Sequence, residues 1–230
     1  MVEKNKIKLS SEKIVKREKK LKYLKHALLT SSLFLIVTYM ILSFLYADGK
    51  FTISLDKDFS KKTGMVIYSD SNERQPKLIL DVKEINFLDN ISIDWIPNDI
   101  NEKGDGSHNS DNYIAYTFYV ENRGGEDINY WYKIPIVNVI RNVDDAVRVI
   151  IYRNNDKKVY AKMAKNGEPE EGTIPFYSNN IVALENRVGL KPSEIDKYTI
   201  VVFLEGNDPE CVDNIIGGQL KLNMELNEEF

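Results

Sequence analysis

The clearest feature of the hydrophobic pattern is an uninterrupted apolar run from Ala27 to Ala47, near the start of the chain. Its 21 residues include no charge, and a helix of that length covers about 30 Å, the thickness of the bilayer hydrocarbon core. The Ser and Thr hydroxyls in the run can bond back to helix carbonyls and do not prevent insertion. The pattern predicts one transmembrane helix, anchored by Ala27, Leu33, Phe34, Leu35, Ile36, Val37, Met40, Ile41, Leu42, Phe44 and Ala47.

A cleaved signal peptide is the alternative interpretation of this segment, because Ala47 supplies a small residue at a cleavage point. The apolar run is longer than the roughly 7 to 15 residues of a signal-peptide core. Leu45 and Tyr46 also make a poor small-x-small site. The sequence therefore favours an uncleaved signal-anchor.

Charge is distributed unevenly around the predicted helix. Residues 1–26 carry ten Lys and Arg against three Glu, a net charge of +7, whereas the rest of the chain has a net charge of −11. The positive-inside rule then places the N-terminus in the cytoplasm and the C-terminal part outside the cell membrane. The tail has apolar residues at near-helical spacing, which predicts a helix along the lipid surface, with a docking helix for a partner as the alternative.

After the anchor, the pattern changes to short segments rich in β-branched and aromatic residues, each bounded by Gly, Asn, Asp or Pro. This pattern is typical of strands, and no long helical period interrupts it. The predicted fold is mainly β, an Ig-like antiparallel β-sandwich with one N-terminal transmembrane α-helix. The predicted strands are 77–87, 91–96, 113–121, 130–141, 147–153, 159–164, 197–205 and 219–226.

The predicted organisation has four parts along the chain. Residues 1–26 form a basic cytoplasmic tail, 27–47 the transmembrane helix, 48–76 a stalk or edge strands, and 77–230 the extracellular β-sandwich. Aromatic residues concentrate in two of the strands, where they either fill the core or form an exposed face for a partner.

Few residues are suited to covalent or acid–base chemistry. Cys211 is the one cysteine, so no intrachain disulfide forms, and a small buried hydrophobe or an interchain link remain as interpretations. Of the two histidines, His26 adjoins the membrane and His108 lies in a loop, 97–112, without an apolar pattern. No zinc-protease motif is present. The sequence predicts no catalytic residue, no enzyme activity and no cofactor other than an optional calcium ion.

Two acidic segments are candidates for that calcium ion, because carboxylate, hydroxyl and amide oxygens are the ligands it prefers. Like charges in such a segment repel unless solvent or a cation screens them. A solvated acidic turn is the alternative for both. The first candidate set is Asp105, Ser107, Asn109 and Asp111, and the second is Glu205, Asp208, Glu210 and Asp213.

The C-terminal run DKYTIVVFLEGNDPEC at 196–211, followed by IIGGQLKL at 215–222, carries a resemblance. With YIAYTFYVEN at 113–122 and AVRV at 146–149, it resembles a group of uncharacterised membrane-anchored surface proteins of Firmicutes. That group is in turn similar, distantly, to the TasA and camelysin family, secreted β-sandwich proteins of biofilm matrix. This chain has Pro192-Ser193 where relatives have Pro-Gly.

The resemblance implies a TasA-like sandwich that acts as a non-enzymatic surface binding module or assembles matrix or envelope material. Its implied partners are the lipid bilayer, a surface protein or envelope polymer, and other copies of the chain in an oligomer. The acidic charge of the domain disfavours nucleic acid as a partner. The alternative is an anchored metal-dependent hydrolase of camelysin type, although the chain lacks a supporting ligand set for that activity.

Overall fold

The computed structural model describes residues 2–46, 51–83, 85 and 88–229. The chain divides into two compact units, Met1–Asp48 and Gly49–Phe230. The first unit consists of helix α1, Val2–Tyr46. The second is built mainly from strands. The chain is therefore mainly β with one N-terminal helix.

Helix α1 is continuous over 45 residues, about 67 Å at the usual rise per residue. Its segment Ile14–Ile41 is long and apolar enough to cross a bilayer, and none of its most apolar window is buried inside the protein. The Thr38 hydroxyl donates to the Phe34 carbonyl at 2.8 Å, as expected for a hydroxyl in an apolar helix. The predicted apolar helix is confirmed, and it continues without a break into the basic tail. Of the predicted anchor residues, Ala47 lies outside the described residues, as do the side chains of Leu42 and Phe44.

The second unit contains one short α-helix and twelve strands among its described residues. Helix α2 spans Lys57–Thr63. The strands are β1 Thr52–Leu55, β2 Met65–Tyr68, β3 Ile79–Asp81, β4 Gly106–Ser107, β5 Tyr113–Asn122, β6 Ile128–Ile140, β7 Val147–Arg153, β8 Asp156–Ala161, β9 Ile174–Pro175, β10 Ile181–Leu190, β11 Ile195–Leu204 and β12 Gln219–Asn227.

The strands form two sheets. The first has the order β10-β6-β12-β1-β3, and the second has the order β2-β5-β11-β7-β8-β9, with β4 also paired to β5. β1 pairs with β12 in parallel, and so does β8 with β9, whereas the other pairs are antiparallel. The prediction of a purely antiparallel arrangement is therefore wrong: both sheets are mixed. The cause in the first sheet is that β1, the first described strand after α1, inserts beside β12, the last described strand.

Six of the eight predicted strands are present, namely those that became β5, β6, β7, β8, β11 and β12. The predicted strand 77–87 is reduced to β3, and residues 84, 86 and 87 lie outside the described part. The predicted strand 91–96 is wrong, because Ile93–Trp95 forms a 3-10 helix whose Asp94 amide donates to the Ser92 hydroxyl at 3.3 Å. Strand β10 was not predicted.

Of the segment 48–76, predicted as a stalk or edge strands, residues 51–76 belong to the same compact unit as the later strands, and residues 48–50 lie outside the described residues. Strand β2 lies at the edge of the second sheet, but β1 lies between β12 and β3. Phe51, Ile53 and Leu55 are buried in the main core. Phe59 of α2 joins them there.

The largest cluster of buried apolar residues contains side chains from both sheets. Ile53 and Met224 come from the first sheet, and Phe118 and Ile200 from the second. Four aromatic residues of β5 and β6 belong to it too, namely Tyr116, Phe118, Tyr130 and Tyr132, which are buried. Their burial confirms core filling for these four side chains.

A second apolar cluster lies on the opposite face of the second sheet. Side chains alternate between the two faces of a strand, and Ile150 and Tyr152 of β7 belong to this cluster rather than to the main core. Ile91, Ile96 and Ile100, from the connection before β4, pack in the same cluster. This arrangement places Arg148 of β7 on the same sheet face as Ile150 and Tyr152.

Candidate functional site: a buried arginine with three carboxylates

The site is formed by one strand residue and two loops. Arg148 lies near the start of β7, where it pairs with Phe203 of β11 and Ala161 of β8. Glu170 lies in the connection between β8 and β9, and Asp208 and Glu210 lie in the loop after β11. The sheet brings the ends of β8 and β11 to either side of β7, so both loops meet at the arginine.

The side chains at this site are close together and largely withdrawn from solvent. Arg148 Nη2 lies 2.6 Å from Asp208 Oδ2 and 3.4 Å from Glu170 Oε2. The exposed fractions of the three side chains are 5% for Arg148, 0% for Asp208 and 15% for Glu170. One carboxylate oxygen from each of Glu170, Asp208 and Glu210 lies within 4.8 Å of the others. The three acids thus lie close to one another, and the guanidinium contacts two of them, Asp208 and Glu170.

Hydrogen bonds satisfy this cluster only in part. The Glu210 amide donates to Asp208 Oδ1 at 2.7 Å, and the Lys165 amide donates to Glu210 Oε1 at 3.4 Å. Asp208 Oδ2 and Glu210 Oε2 are buried, and among the described residues neither accepts a hydrogen bond. The contact of Arg148 with Asp208 Oδ2 is therefore an ion pair without hydrogen-bond geometry.

The electrostatic balance of the cluster is negative. Burial raises the pKa of Glu170, the nearby charges of Asp208 and Glu210 raise it further, and the Arg148 guanidinium opposes them without cancelling them. Like charges at these distances disfavour ionisation of all three acids together. The cluster therefore favours an added positive charge.

The structure divides the second predicted calcium set. Asp208 and Glu210 come together, but Glu205 is directed elsewhere: its carboxylate accepts hydrogen bonds from the amides of Ile93 at 2.9 Å and Asn207 at 3.0 Å. Asp213 is exposed at the start of the 3-10 helix Asp213–Ile215. Glu205 instead holds the connection at Ile93 against the loop that follows β11.

The first predicted calcium set does not converge on a shared position. Asp105 accepts hydrogen bonds from the Ser71 amide at 2.7 Å and from the Tyr119 hydroxyl at 2.6 Å. Ser107 Oγ accepts from the Lys83 amide at 2.9 Å. Asn109 bonds to the Lys83 carbonyl and the Ala115 amide. Asp111 is exposed. Asp105, Ser107 and Asn109 thus hold the loop onto its neighbours.

His108 is half-buried beside two threonines. Its Nε2 lies 2.9 Å from Thr117 Oγ1, which lies 2.7 Å from Thr199 Oγ1. Its Nδ1 is buried without a hydrogen-bond partner among the described residues. Burial, followed by the charges of Lys197 and Lys103, lowers the pKa of the imidazole, which is therefore neutral at pH 7. Among the described residues, no carboxylate forms a hydrogen bond with this ring, unlike the base of a Ser-His-Asp triad.

A second buried polar network connects the two sheets. Glu185 of β10 accepts hydrogen bonds from Lys158 of β8 at 2.7 Å and from the hydroxyls of Tyr132 and Tyr160. Burial acts to raise the pKa of Glu185, but the bonds from Lys158, Tyr160 and Tyr132 outweigh it and lower the pKa. Since Glu185 belongs to the first sheet and Lys158 to the second, the network joins them.

A third network surrounds Asp196 of β11. Its carboxylate accepts from the Tyr130 hydroxyl at 2.8 Å, from Arg187 Nε at 2.9 Å and from Asn154 Nδ2 at 3.0 Å. A surface depression of about 540 Å³ lies beside it, lined in part by Arg153, Arg187 and Asp196. Internal hydrogen bonds occupy Arg187 and Asp196, so the polar groups at its base already have partners.

Sequence reasoning missed two members of the main site. Glu170 lies in an acidic, Gly-containing stretch, and such a stretch is as typical of a solvated loop as of a binding site. Arg148 is the one charged residue inside the strand run VRVIIY, and this interruption was a usable signal, because a charge in a strand buried on both faces needs a partner. Neither signal identifies Asp208 as that partner.

Comparisons with known proteins find little. No protein-family model and no curated protein matches this sequence. A solved structure of a β-glucosidase from Kluyveromyces marxianus in complex with glucose aligns with 70% of this chain at 12% identity and a TM-score of 0.24. A selenomethionine-labelled form of that enzyme aligns with 70% at 13% identity and a TM-score of 0.23. The alignments cover 15% and 16% of the length of those chains, and likeness at this level carries no argument about function.

Proposed function

We propose that this protein is a single-pass membrane protein that displays an acidic β-sandwich outside the cell. There it acts as a non-enzymatic module that binds a surface protein or an envelope polymer, or helps to assemble envelope or matrix material. The observation that carries the proposal is the apolar segment Ile14–Ile41 of α1, whose most apolar window is not buried in the protein.

The exposed apolar side chains of α1 need a non-aqueous environment. Leu33, Phe34, Leu35 and Met40 are each more than 60% exposed. At about 25 cal/mol per Å² of apolar surface, a run of such side chains in water is strongly unfavourable. A bilayer supplies the missing environment, and about 20 apolar residues are enough to cross it. This supports an anchor.

The orientation follows from charge. The ten Lys and Arg residues of the tail precede the uncharged apolar run that begins at Ala27, and the remaining chain is acidic with a net charge of −11. Basic segments stay on the cytoplasmic side, where they also contact anionic lipids. We therefore place residues 1–26 in the cytoplasm of the cell and the β-rich unit outside.

A sandwich arrangement is supported by the apolar cluster shared between the two sheets. Two sheets that pack face to face bury one face of each in a common core. The network around Glu185 adds polar contacts between β8 and β10, which belong to different sheets. The sandwich remains part of the proposal, as does its likeness to the TasA family.

A binding or assembly role is favoured over the hydrolase alternative by the state of the candidate side chains. Glu205, Asp105 and Asn109 each hold a loop through backbone hydrogen bonds. His108 is bonded to Thr117 rather than to an acid. Groups engaged in this way maintain the shape of a surface, which is what a binding module requires.

The topology is tested by labelling single cysteines with a membrane-impermeant maleimide on intact cells. Cys211 is replaced by Ser, and the exposed positions Ser110 and Lys16 are changed singly to Cys. We expect Ser110→Cys to be labelled on intact cells and Lys16→Cys only after permeabilisation. The reverse pattern would overturn the orientation, and release of the full-length chain by alkaline carbonate would overturn the anchor.

The binding role is tested by co-sedimentation of the full-length protein, in detergent, with purified cell-wall polymer and separately with washed intact cells. Binding that saturates and is lost on heat denaturation supports a surface module. Turnover of a glycoside or peptide substrate panel by the same preparation, without saturable binding, would instead support the hydrolase alternative.

A further inference from the structure

We infer that Glu170, Asp208 and Glu210 form a binding site for one divalent cation, and that calcium is the ion that fits it. The inference goes beyond the anchoring and binding role proposed above. It does not depend on the side of the membrane on which the β-rich unit lies.

The spacing of the oxygens suits a single ion. One carboxylate oxygen from each residue lies within 4.8 Å of the other two. Two oxygens that both contact calcium at about 2.4 Å are at most about 4.8 Å apart. The three carboxylates are therefore close enough to share one ion.

The incomplete hydrogen bonding of buried oxygens points to a missing ligand. Asp208 Oδ2 and Glu210 Oε2 are buried and accept no hydrogen bond from the described residues. The Asp208 side chain is 0% exposed, and the neighbour of its Oδ2 is Arg148 Nη2, in ion-pair contact but outside hydrogen-bond geometry. A buried carboxylate oxygen that accepts no hydrogen bond is costly, and coordination to a cation would remove that cost at Glu210 Oε2, whereas Arg148 already compensates the charge at Asp208 Oδ2.

The charge balance points the same way. Three carboxylates and one guanidinium leave a net charge of −2 when all are ionised, and a divalent cation neutralises this charge. Arg148 contacts Asp208 and Glu170 from the strand, and among the described residues it forms no salt bridge with Glu210. The guanidinium therefore compensates only part of the negative charge of the cluster.

The ligand chemistry selects calcium among divalent ions. All three ligands are carboxylates, whereas zinc sites are dominated by Cys and His. Cys211 is close in sequence, but its sulfur accepts a hydrogen bond from Asn90 at 3.3 Å and is not part of the cluster. The ligands lie on two loops, which suits the flexible shell of calcium better than the strict octahedron of magnesium.

Calcium binding is tested on the full-length protein in detergent after EDTA treatment. Equilibrium dialysis should give one calcium per chain. At a calcium concentration about 100-fold above Kd, the melting temperature should rise by roughly 5 to 10 °C. Magnesium at the same concentration should produce a smaller rise.

The variant Glu170→Gln identifies the site, and Glu171→Gln, at the exposed neighbouring acid, is its control. We expect Glu170→Gln to lose the calcium-induced rise and Glu171→Gln to keep it. In EDTA, Glu170→Gln relieves the repulsion from Asp208 and Glu210 but loses the contact with Arg148, and it should still melt cooperatively. That result shows that the variant is folded.

Three results would overturn the inference. The first is a wild type that takes up no calcium at millimolar concentration and shows no change in melting temperature. The second is Glu170→Gln with the full calcium response, which would place the ion elsewhere. The third is an equal response to magnesium, which would overturn the assignment of calcium.

Discussion

The side chain of Glu185 joins strands of different sheets. It accepts hydrogen bonds from Lys158 and Tyr160 of β8 and from Tyr132 of β6. We expect Glu185→Gln to lower the free energy of unfolding by about 2 kcal/mol at pH 7, because an amide forms no ion pair with Lys158 and leaves donors unsatisfied. Urea unfolding of the full chain, followed by tryptophan fluorescence, measures the change.

The control for this prediction is Glu228→Gln. Glu228 also pairs with a lysine, Lys62, but its side chain is 53% exposed. An exposed pair contributes little, so the control should change the stability by less than about 0.5 kcal/mol. Equal effects of the two substitutions would contradict a special role for the buried network.

The same carboxylate makes the stability depend on pH in the acid range. The pKa of Glu185 is lowered in the folded protein. A lowered pKa stabilises the fold above the unfolded-state pKa, which is about 4.3, and this contribution is lost as the pH falls through the folded-state value. The stability difference between wild type and Glu185→Gln should therefore be constant near neutral pH and shrink below about pH 4.3. A difference that grows with acidity would contradict this.

At the scale of elements, the end of α2 packs against the turn between β5 and β6. A Cβ added at Gly124 would lie 2.0 Å from the Thr63 carbonyl oxygen, whereas one at Gly125 would meet nothing within 4 Å. We expect Gly124→Ala to destabilise the protein by about 2 kcal/mol or more, and Gly125→Ala to change it by less than about 0.5 kcal/mol. Thermal melts of the two variants provide the comparison. Similar melting temperatures would contradict the prediction, because they would show that the backbone at Thr63 shifts at little cost to make room for the added Cβ.

Gly124 also illustrates why a close contact between two backbone segments is hard to predict from sequence. The stretch 122–125 predicts a turn that uses positive φ, but neither Gly124 nor Gly125 has a positive φ. The glycine at 124 is required by another element, α2, distant along the chain. Asn154, by contrast, has a φ of 55°, as its turn sequence predicts, because that requirement is local.

Strands were predictable where their side chains are mainly β-branched or aromatic, as is usual in a buried sheet. β7 has the predicted bounds, because its residues are buried on both faces and β-branched side chains dominate. β10 was missed, because its side chains at 185 and 187 are charged although both contact partners inside the networks. A charged side chain in a strand sequence indicates a position exposed to solvent unless its partner is known. The partners of Glu185 and Arg187, which are Lys158 and Asp196, lie on other strands and are not evident from the sequence.

The candidate site was predictable only as an acidic loop. Asp208 and Glu210 are neighbours in sequence and were predicted together. Glu170 reaches them because β8, β7 and β11 are adjacent in the second sheet. Strand order is a property of the whole fold, so local pattern does not supply it. The same reason explains why sequence proximity did not show that Glu205 and Asp213 lie outside the group formed by Glu170, Asp208 and Glu210.

At the scale of the whole molecule, the core begins at the first described residues after α1. Every residue of the three apolar clusters has number 51 or higher. We expect residues 49–230 to fold alone and to melt within a few degrees of the full chain. A shorter chain, 77–230, should show no cooperative melt by circular dichroism, because it lacks the buried side chains of Phe51, Ile53, Leu55, Phe59, Met65 and Ile67.

The free energy contributed by the six missing side chains is large compared with the stability of a domain. Each buried apolar side chain contributes about 1.5 to 3 kcal/mol, and a typical domain is stable by only about 5 to 15 kcal/mol. Loss of six such side chains therefore removes most or all of the stability. A cooperative melt of 77–230 at the temperature of the longer chain would show that β1, α2 and β2 are dispensable.

The parallel pairing of β1 with β12 has a mechanical consequence for an anchored protein. A pull along the tether from the anchor enters the β-rich unit at β1, whose partners are the C-terminal strand β12 on one side and β3 on the other. When the tether is pulled against a load held near the C-terminus, β1 and β12 slide past each other along their length. Their hydrogen bonds then carry the force together instead of opening one at a time, so in the proposed anchored protein β1 and β12 act as a force-bearing clamp.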